Sequence, residues 1–315
     1  MGKITLGSHT VKSHGWKVAR EHLIDWIILV LLGIVIIVLN IMEPFHRYIG
    51  PDMLTDLTFP LYQDTIPIWA VPIICILVPI CIFTVYYYFG RDVYDLHHAI
   101  LGIGFSCLVT GVTTDSIKMR SVGHDLTSST DVFPMKFDSV TKDVVCHGVK
   151  KIIKEGSKSF PSGHTSWSFA GLTFLAWYLS GKIKVFDRRG HVAKLCLVFL
   201  PILVAVLIGI TRVDDYWHHW TDVFAGAIIG IFFSSLSYLH FFPYPFDDNG
   251  WAPHAYFRML AESSRRDTTM TRSGSREMLK TTLSLALPPC RTIVIEEALI
   301  LNDNIPVHIL IYLCV

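Results

Sequence analysis

The sequence predicts an all-α membrane protein with six transmembrane helices packed as a bundle. Three observations support this prediction: 51% of the 315 residues are hydrophobic, only 17% are charged, and the apolar residues lie in long runs. A soluble domain carries about 25% charged residues, and a membrane-spanning helix needs about 20 mostly apolar residues. The composition therefore excludes a disordered chain and argues against a water-soluble globular protein.

Charge and cysteine content narrow the possible partners. The 27 basic and 26 acidic residues leave a net charge of +1, so no charge excess points to nucleic acid. The seven cysteines are too few for a small disulfide scaffold, and most of them lie within apolar runs. We expect four of them to be buried thiols, namely Cys75, Cys81, Cys107 and Cys196.

Six apolar runs are about long enough to cross a bilayer. The first follows a polar arm and precedes five further runs, so it is not a cleaved signal peptide. The second contains three prolines, which a bundle tolerates because neighbouring helices satisfy the freed carbonyl groups. The fourth is short and reaches spanning length only by continuing into Ser180–Ile183. The six runs are Leu23–Met42, Ile66–Phe89, His98–Ile117, Thr165–Leu179, Leu195–Ile210 and Thr221–Phe242.

The basic residues of the short loops set the orientation of the spans. Lys and Arg are concentrated in the N-terminal arm, in the loop between the fourth and fifth spans, and in the tail. An even number of spans places these regions on one side, which we expect to be the cytoplasm. The predicted organisation is a cytoplasmic arm at 1–22, a six-span domain at 23–246 and a cytoplasmic tail at 247–315. Because residues 261–280 are polar, the tail is expected to be disordered.

The loop between the third and fourth spans, residues 118–160, departs from this charge rule. It also carries several lysines, although it lies on the opposite side. The rule is weaker for a loop of this length. A second explanation is that its cations serve an anionic substrate.

Two polar clusters lie where apolar runs begin, and the first is Pro161–His164 at the start of the fourth span. Pro, Ser and Gly at a helix start leave backbone N–H groups free to face an anion. Ser162 adds a hydroxyl donor, and Gly163 lets the backbone approach closely. An ordinary helix cap also accounts for Ser and Gly, but a cap has no need of His164.

The second cluster precedes the sixth span and contains Arg212, His218 and Asp222. His218 and Asp222 are four residues apart and share a helix face, so the carboxylate can orient the imidazole and leave its other nitrogen as a nucleophile. Arg212 offers a planar set of donors suited to phosphate oxygens. The alternative interpretation is an interfacial aromatic belt with charged residues in the headgroup zone. Three residues are assigned to that belt: Asp214, Asp215 and His219.

Topology brings the two clusters to the same membrane face, because exactly two spans separate them. On the charge argument this is the non-cytoplasmic face. We therefore expect the active site at the non-cytoplasmic mouth of the bundle. Histidines beside aspartates could instead bind a metal, but neither a His-Glu-x-x-His pattern nor a cysteine pattern supports that alternative.

With these motifs the sequence resembles the type-2 phosphatidate phosphatases, also called lipid phosphate phosphatases, and especially their plant group. The superfamily also includes the vanadium haloperoxidases. The resemblance covers roughly residues 15 to 275. The second family motif, Pro-Ser-Gly-His, matches residues 161–164. The third is Ser-Arg, five residues, His, three residues and Asp; it matches Arg212, His218 and Asp222, with Thr211 in place of Ser.

The first family motif, Lys followed after six residues by Arg-Pro, is incomplete. Lys118 is present, but Asp125 and Leu126 stand where Arg-Pro is expected. Read in a shifted frame, the degenerate codons of Met119–Met135 permit the family's segment, with Arg-Pro at the correct distance from Lys118. We hypothesise a local frameshift, either an error in the sequence or a real lesion. The alternative is chance agreement among degenerate codons, and sequencing the transcript distinguishes the two.

The resemblance implies hydrolysis of a phosphomonoester through a phosphohistidine, without a metal or other cofactor. His218 attacks phosphorus while Asp222 orients it, and His164 protonates the leaving alkoxide and then activates water. Four residues hold the phosphate oxygens: Lys118, Ser162, Gly163 and Arg212. The implied substrates are phosphatidic acid, diacylglycerol pyrophosphate and lysophosphatidic acid in the bilayer, either at the plasma membrane or in the endoplasmic reticulum.

Two other functions compete with this one. A lesion in the first motif would give a lipid-binding pseudophosphatase that keeps both histidines but has no turnover. A transporter would also place ionisable residues in the membrane. Transporter sites lie near the bilayer midplane, however, whereas the reactive residues here cluster at one mouth of the bundle.

Overall fold

The computed structural model describes residues 10–43, 59–60, 63–120, 127–128, 136–137, 144–145, 160–187, 189–286, 297–299 and 307–309. The chain divides into two compact units, Met1–Phe257 and Arg258–Val315. The first unit holds every predicted span and both polar clusters.

Helices account for most of the described residues, and their bounds follow the predicted spans. A π-helical turn at Val11–Gly15 leads into the first helix, and another π-helical turn, Ile73–Leu77, joins the two halves of the proline-containing second span. The helices are α1 (Trp16–Glu21), α2 (Leu23–Ile41), α3 (Ala70–Pro72), α4 (Val78–Gly90), α5 (Val93–Lys118), α6 (Gly163–Lys182), α7 (Val192–Asp214), α8 (Trp220–Phe241) and α9 (His254–Ala286).

The described strands are only two or three residues long, so sheet structure adds nothing to the helical core. They pair in twos: β1 (Phe59–Pro60) with β2 (Thr127–Ser128) in parallel, β3 (Lys136–Phe137) with β4 (Val144–Val145) antiparallel, and β5 (Glu297–Leu299) with β6 (Val307–Ile309) antiparallel.

The prediction of a polytopic all-α membrane protein is confirmed. Within the described residues, five helical segments are long and apolar enough to cross a membrane: Leu23–Ile41, Ala70–Gly90, Val93–Lys118, Val192–Asp214 and Trp220–Phe241. The fourth predicted span lies within α6, which has 20 residues but is not among these five segments.

The position of α6 in the bundle explains its more polar composition. It packs against α5, α7 and α8, and most of its residues are buried. A helix enclosed by its neighbours has no need to match lipid on its surface. By contrast, α2 and α7 expose large apolar side chains along much of their length. Cys81 and Cys196 lie on such outward surfaces and are exposed, so the expectation that they are buried was wrong; Cys75 and Cys107 are buried.

Small residues bring α6 and α8 into close contact. A β-carbon added to Gly226 of α8 would lie 2.7 Å from the carbonyl oxygen of Ser162, and one added to Gly230 would lie 2.6 Å from that of Ser166. Glycines spaced four apart let two membrane helices approach through their backbones. This contact sets the start of α6 beside the first turn of α8, where the two sequence clusters lie.

The tail differs from the sequence-based expectation. Residues 261–280, expected to be disordered, lie within the helix α9, whose described side chains are mostly exposed. Local propensity permits the helix, because 11 of these 20 residues (four Arg, two Glu, two Met, one Ala, one Leu and one Lys) are strong helix formers and none is proline, although seven Ser and Thr weaken it. The assignment of the tail to the cytoplasm remains a prediction.

We expect Gly226→Ala to destabilise the bundle, because its new methyl group would press on backbone atoms that have no room to move. Overpacking of this kind costs about 1–3 kcal/mol. Gly33→Ala in α2 is the matched control, since nothing lies within 4 Å of its β-carbon position. Thermal unfolding in detergent should show a lower Tm for Gly226→Ala only; equal Tm values would contradict the close packing of α6 and α8.

Candidate active site

The start of α6 is fixed against the first turn of α8. Ser162 is the N-cap residue of α6 and is fully buried. Its backbone N–H donates to the carbonyl oxygen of Asp222 at 3.0 Å, and its hydroxyl oxygen accepts from the hydroxyl of Thr165 at 3.1 Å. The Pro-Ser-Gly-His segment and the residues before the sixth span therefore meet through a direct hydrogen bond.

His218 and Asp222 face each other, as their spacing predicts. Nδ1 of His218 lies 3.6 Å from Oδ2 of Asp222, which is an ion-pair distance and longer than a hydrogen bond. The two side chains are 11% and 8% exposed. Burial lowers the pKa of His218 below its ordinary value; the Asp222 carboxylate opposes this shift, and the positive charge of Lys118 adds to it. The imidazole is therefore neutral at pH 7 and keeps a lone pair for attack.

Arg212 is the most deeply buried charged group of the cluster, with a side chain that is 1% exposed. Nη1 lies 2.7 Å from Oδ1 of Asp64, and Nη2 lies 2.7 Å from Oδ2 of Asp215. Its Nε is buried and has no hydrogen-bond partner among the described residues. A buried donor of this kind is costly unless an acceptor arrives, so the guanidinium is prepared for an anion.

The turn after α7 ties the backbone of His218 to Arg212. The carbonyl oxygen of Arg212 accepts hydrogen bonds from the backbone N–H groups of Trp217 and His218, both at 3.1 Å. Tyr216 has a φ of 59°, in the left-handed region, which allows the chain to reverse there. Thr211 keeps the hydroxyl of the family motif, and this hydroxyl donates to the carbonyl of Ile208 at 2.8 Å.

His164 and Lys118 complete the cluster from α6 and α5. Nε2 of His164 lies 3.1 Å from the carbonyl oxygen of Ile66. Nζ of Lys118 lies 3.1 Å from the position that a β-carbon on Gly163 would take, so a larger residue there would press on the ammonium group. Burial lowers the pKa of His164 to about 3, and the nearby Arg212, His218 and Lys118 add to this shift, so the ring is neutral at pH 7 before an anion binds.

The structure thus places all seven predicted site residues in one cluster at the end of the bundle where α5 ends and α6 begins. Their roles in individual reaction steps stay predictions. The assignment of Asp215 to an aromatic belt was wrong, because Asp215 is buried and pairs with Arg212. Asp214 and His219 are exposed, as a belt requires.

Sequence reasoning missed the contribution of Asp64, Thr65 and Ile66. Asp215 follows Arg212 by three residues and so shares its helix face, a spacing that could have identified it. Asp64 is 148 residues from Arg212, and no local pattern connects the two. The altered segment after Lys118, the subject of the frameshift hypothesis, lies almost entirely outside the described residues.

A separate group of histidines could hold a metal ion. One potential ligand atom from each of His22, His97 and His98 lies within 4.8 Å of the others. Trp26 already donates to Nε2 of His97 at 3.1 Å. His98 and Lys118 stand near opposite ends of α5, about 30 Å apart at the rise of an α-helix. This group is therefore distinct from the cluster around Arg212.

Comparison with known proteins identifies the family. The PAP2 superfamily pattern matches residues 123–244. "Probable lipid phosphate phosphatase 4" of Arabidopsis thaliana is 81% identical over 284 residues, covering 89% of this chain and 92% of the relative. "Lipid phosphate phosphatase 2" of the same species is 61% identical over 267 residues, covering 84% and 92%. "Probable diacylglycerol pyrophosphate phosphatase 1" of Schizosaccharomyces pombe is 30% identical over 230 residues, covering 70% and 81%.

The family pattern spans both polar clusters, and the two Arabidopsis relatives match the chain over most of its length. The chain therefore belongs to the lipid phosphate phosphatases of the PAP2 superfamily, and it is an integral membrane protein.

Proposed function

We propose that this protein hydrolyses lipid phosphate monoesters and releases inorganic phosphate. The observation that carries the proposal is the buried Arg212, whose Nε lacks an acceptor among the described residues and which interacts electrostatically with both His164 and His218. An arginine of this kind suits phosphate oxygens, and a neutral imidazole suits attack on phosphorus. The names of the relatives support the same activity.

In the proposed first step, Nε2 of His218 attacks phosphorus. A nitrogen–phosphorus bond forms, the bond from phosphorus to the lipid oxygen breaks, and the leaving alkoxide takes a proton from His164, which acquires that proton when the negatively charged phosphate binds beside it. Asp222 faces Nδ1 and so favours the tautomer that leaves Nε2 free to attack. Arg212 and Lys118 stabilise the charge on the equatorial oxygens, together with the N-terminal groups of α6 at Ser162 and Gly163.

In the second step, water attacks the phosphohistidine. His164 takes a proton from this water, the nitrogen–phosphorus bond breaks, and phosphate leaves. Every step uses groups of the chain itself and water, so the proposal includes no metal or other cofactor. The proposed substrates are phosphatidic acid, diacylglycerol pyrophosphate and lysophosphatidic acid, whose acyl chains stay in the bilayer while the headgroup enters the site.

We further propose that the site faces away from the cytoplasm, with both chain termini on the cytoplasmic side, in the plasma membrane or the endoplasmic reticulum. The loop charges support this orientation. Identity to lipid phosphate phosphatases over most of the chain favours an enzyme over a pseudophosphatase. The position of the cluster at the helix ends argues against a transporter.

His218→Ala should abolish phosphate release from phosphatidic acid in detergent micelles containing a chelator, because the nucleophile is lost. Asp222→Asn should lower kcat by about 10²–10⁴-fold, as removal of a histidine-orienting carboxylate does elsewhere. Asp214→Asn is the matched control, since Asp214 is exposed in the same turn. Phosphate release by the wild-type protein that persists in His218→Ala would contradict the mechanism. Vanadate binding without any phosphate release by the wild type would favour the pseudophosphatase.

The acid limb of kcat/KM should reflect the lowered pKa of His218. Because burial holds this pKa below 6.5, the ring stays neutral as the pH falls through 6.5, and activity is retained there. The Asp222 carboxylate raises the pKa, so residual activity of Asp222→Asn should persist to still lower pH. Rates measured from about pH 4 to about pH 8 test this. An acid limb that moves upward in Asp222→Asn would contradict it.

A further inference from the structure

Three successive residues that precede α3 contact three residues of the candidate site. Oδ1 of Asp64 lies 2.7 Å from Nη1 of Arg212. The backbone N–H and the hydroxyl of Thr65 donate to the two carboxylate oxygens of Asp215 at 2.8 and 2.7 Å. The carbonyl oxygen of Ile66 lies 3.1 Å from Nε2 of His164.

The two carboxylates on Arg212 differ in burial and in support. The side chain of Asp215 is 8% exposed, and both of its oxygens are held by Thr65. The side chain of Asp64 is 36% exposed, and among the described residues it forms an ion pair with Arg212. One counter-ion is therefore fixed within the protein, whereas the other lies at the edge of the site and can exchange with solvent or a ligand.

The buried guanidinium of Arg212 needs anionic partners such as Asp64 and Asp215, since an unpaired buried ion costs several kcal/mol. A phosphate group can take the place of a carboxylate here, because both have negatively charged oxygens that accept hydrogen bonds from a planar guanidinium. If phosphate binds at Nε of Arg212, which lacks an acceptor among the described residues, while Asp64 stays on Nη1 and Asp215 on Nη2, three anionic groups surround one guanidinium and repel each other. Exchange of the exposed carboxylate for phosphate removes this conflict.

Building on the proposed function, we propose that Asp64 is a resident counter-ion of Arg212 that the substrate's phosphate replaces, and that Asp215 is a positioning residue that keeps the guanidinium in place during the exchange. Thr65 holds Asp215 in both states. Because Ile66 is two residues from Asp64, withdrawal of Asp64 also loosens the carbonyl contact with Nε2 of His164, the proposed proton donor.

The test compares Asp64→Asn with the wild-type protein in two measurements that should move in opposite directions. Without ligand, Asp64→Asn should lower the Tm by about 2–4 °C, because Arg212 loses a counter-ion. The inhibition constant of inorganic phosphate, measured against phosphatidic acid in micelles, should fall about fivefold, because phosphate no longer displaces a carboxylate. The rise in Tm caused by orthovanadate should be larger in Asp64→Asn than in the wild type.

Three further variants and one control distinguish exchange of Asp64 from a purely supporting role. Asp215→Asn should raise the inhibition constant of phosphate and lower kcat, because the guanidinium loses its fixed partner. Thr65→Val removes the hydroxyl that holds Asp215 and should change the inhibition constant of phosphate and kcat in the same direction as Asp215→Asn. Thr65→Ser keeps the hydroxyl and should retain the wild-type values. Asp214→Asn, an exposed carboxylate in the turn after Arg212, controls for a general change of charge and should leave both constants unchanged.

Weaker or unchanged phosphate inhibition in Asp64→Asn would overturn the proposal, since Asp64 would then support Arg212 in the way that Asp215 does. The orthovanadate arm distinguishes this failure from a failure of the proposed function. A wild-type protein that gains stability from orthovanadate but releases no phosphate would refute the hydrolase, while the comparison of vanadate shifts would still decide the role of Asp64.

Discussion

The neutralisation of one buried guanidinium, that of Arg212, organises the whole site. A positive charge that is 1% exposed is tolerated only when anionic groups surround it. Asp215 supplies the permanent partner, and Asp64 supplies the partner nearer to solvent. Burial keeps His218 neutral by lowering its pKa, and the charges of Lys118 and then Arg212 add to this effect. The buried charge of Arg212 thus determines the arrangement of the anion-binding groups and also contributes to the neutral state of the proposed nucleophile.

Helix packing is what allows these groups to meet. Glycines on α8 let its backbone approach α6, and the hydrogen bond from Ser162 to the carbonyl of Asp222 fixes one helix start against the other. Since α6 is enclosed by its neighbours, it can carry hydroxyls and a histidine that a lipid-facing helix would not tolerate. The polar composition that makes α6 a poor membrane span is the composition that the site requires.

The sequence was sufficient for those parts of the site that rest on local spacing and span counting. The four-residue interval from His218 to Asp222 and the two spans between the clusters predicted their meeting. The contacts of Asp64, Thr65 and Ile66 depend on long-range packing, which no periodicity reports. Asp215 carried a local signal, but its aromatic neighbours favoured a membrane-surface interpretation. The helix α9 was missed because polar composition was weighed above helix propensity.

The most direct test of this account is an experimental structure of the protein with orthovanadate bound, because vanadate reproduces the five-coordinate geometry of phosphoryl transfer. The account predicts vanadium bonded to Nε2 of His218, a vanadate oxygen accepting a hydrogen bond from Arg212, and Asp64 withdrawn from that arginine while Asp215 remains. Vanadate bound away from His218, or vanadate on Arg212 with Asp64 still paired to it, would contradict the account.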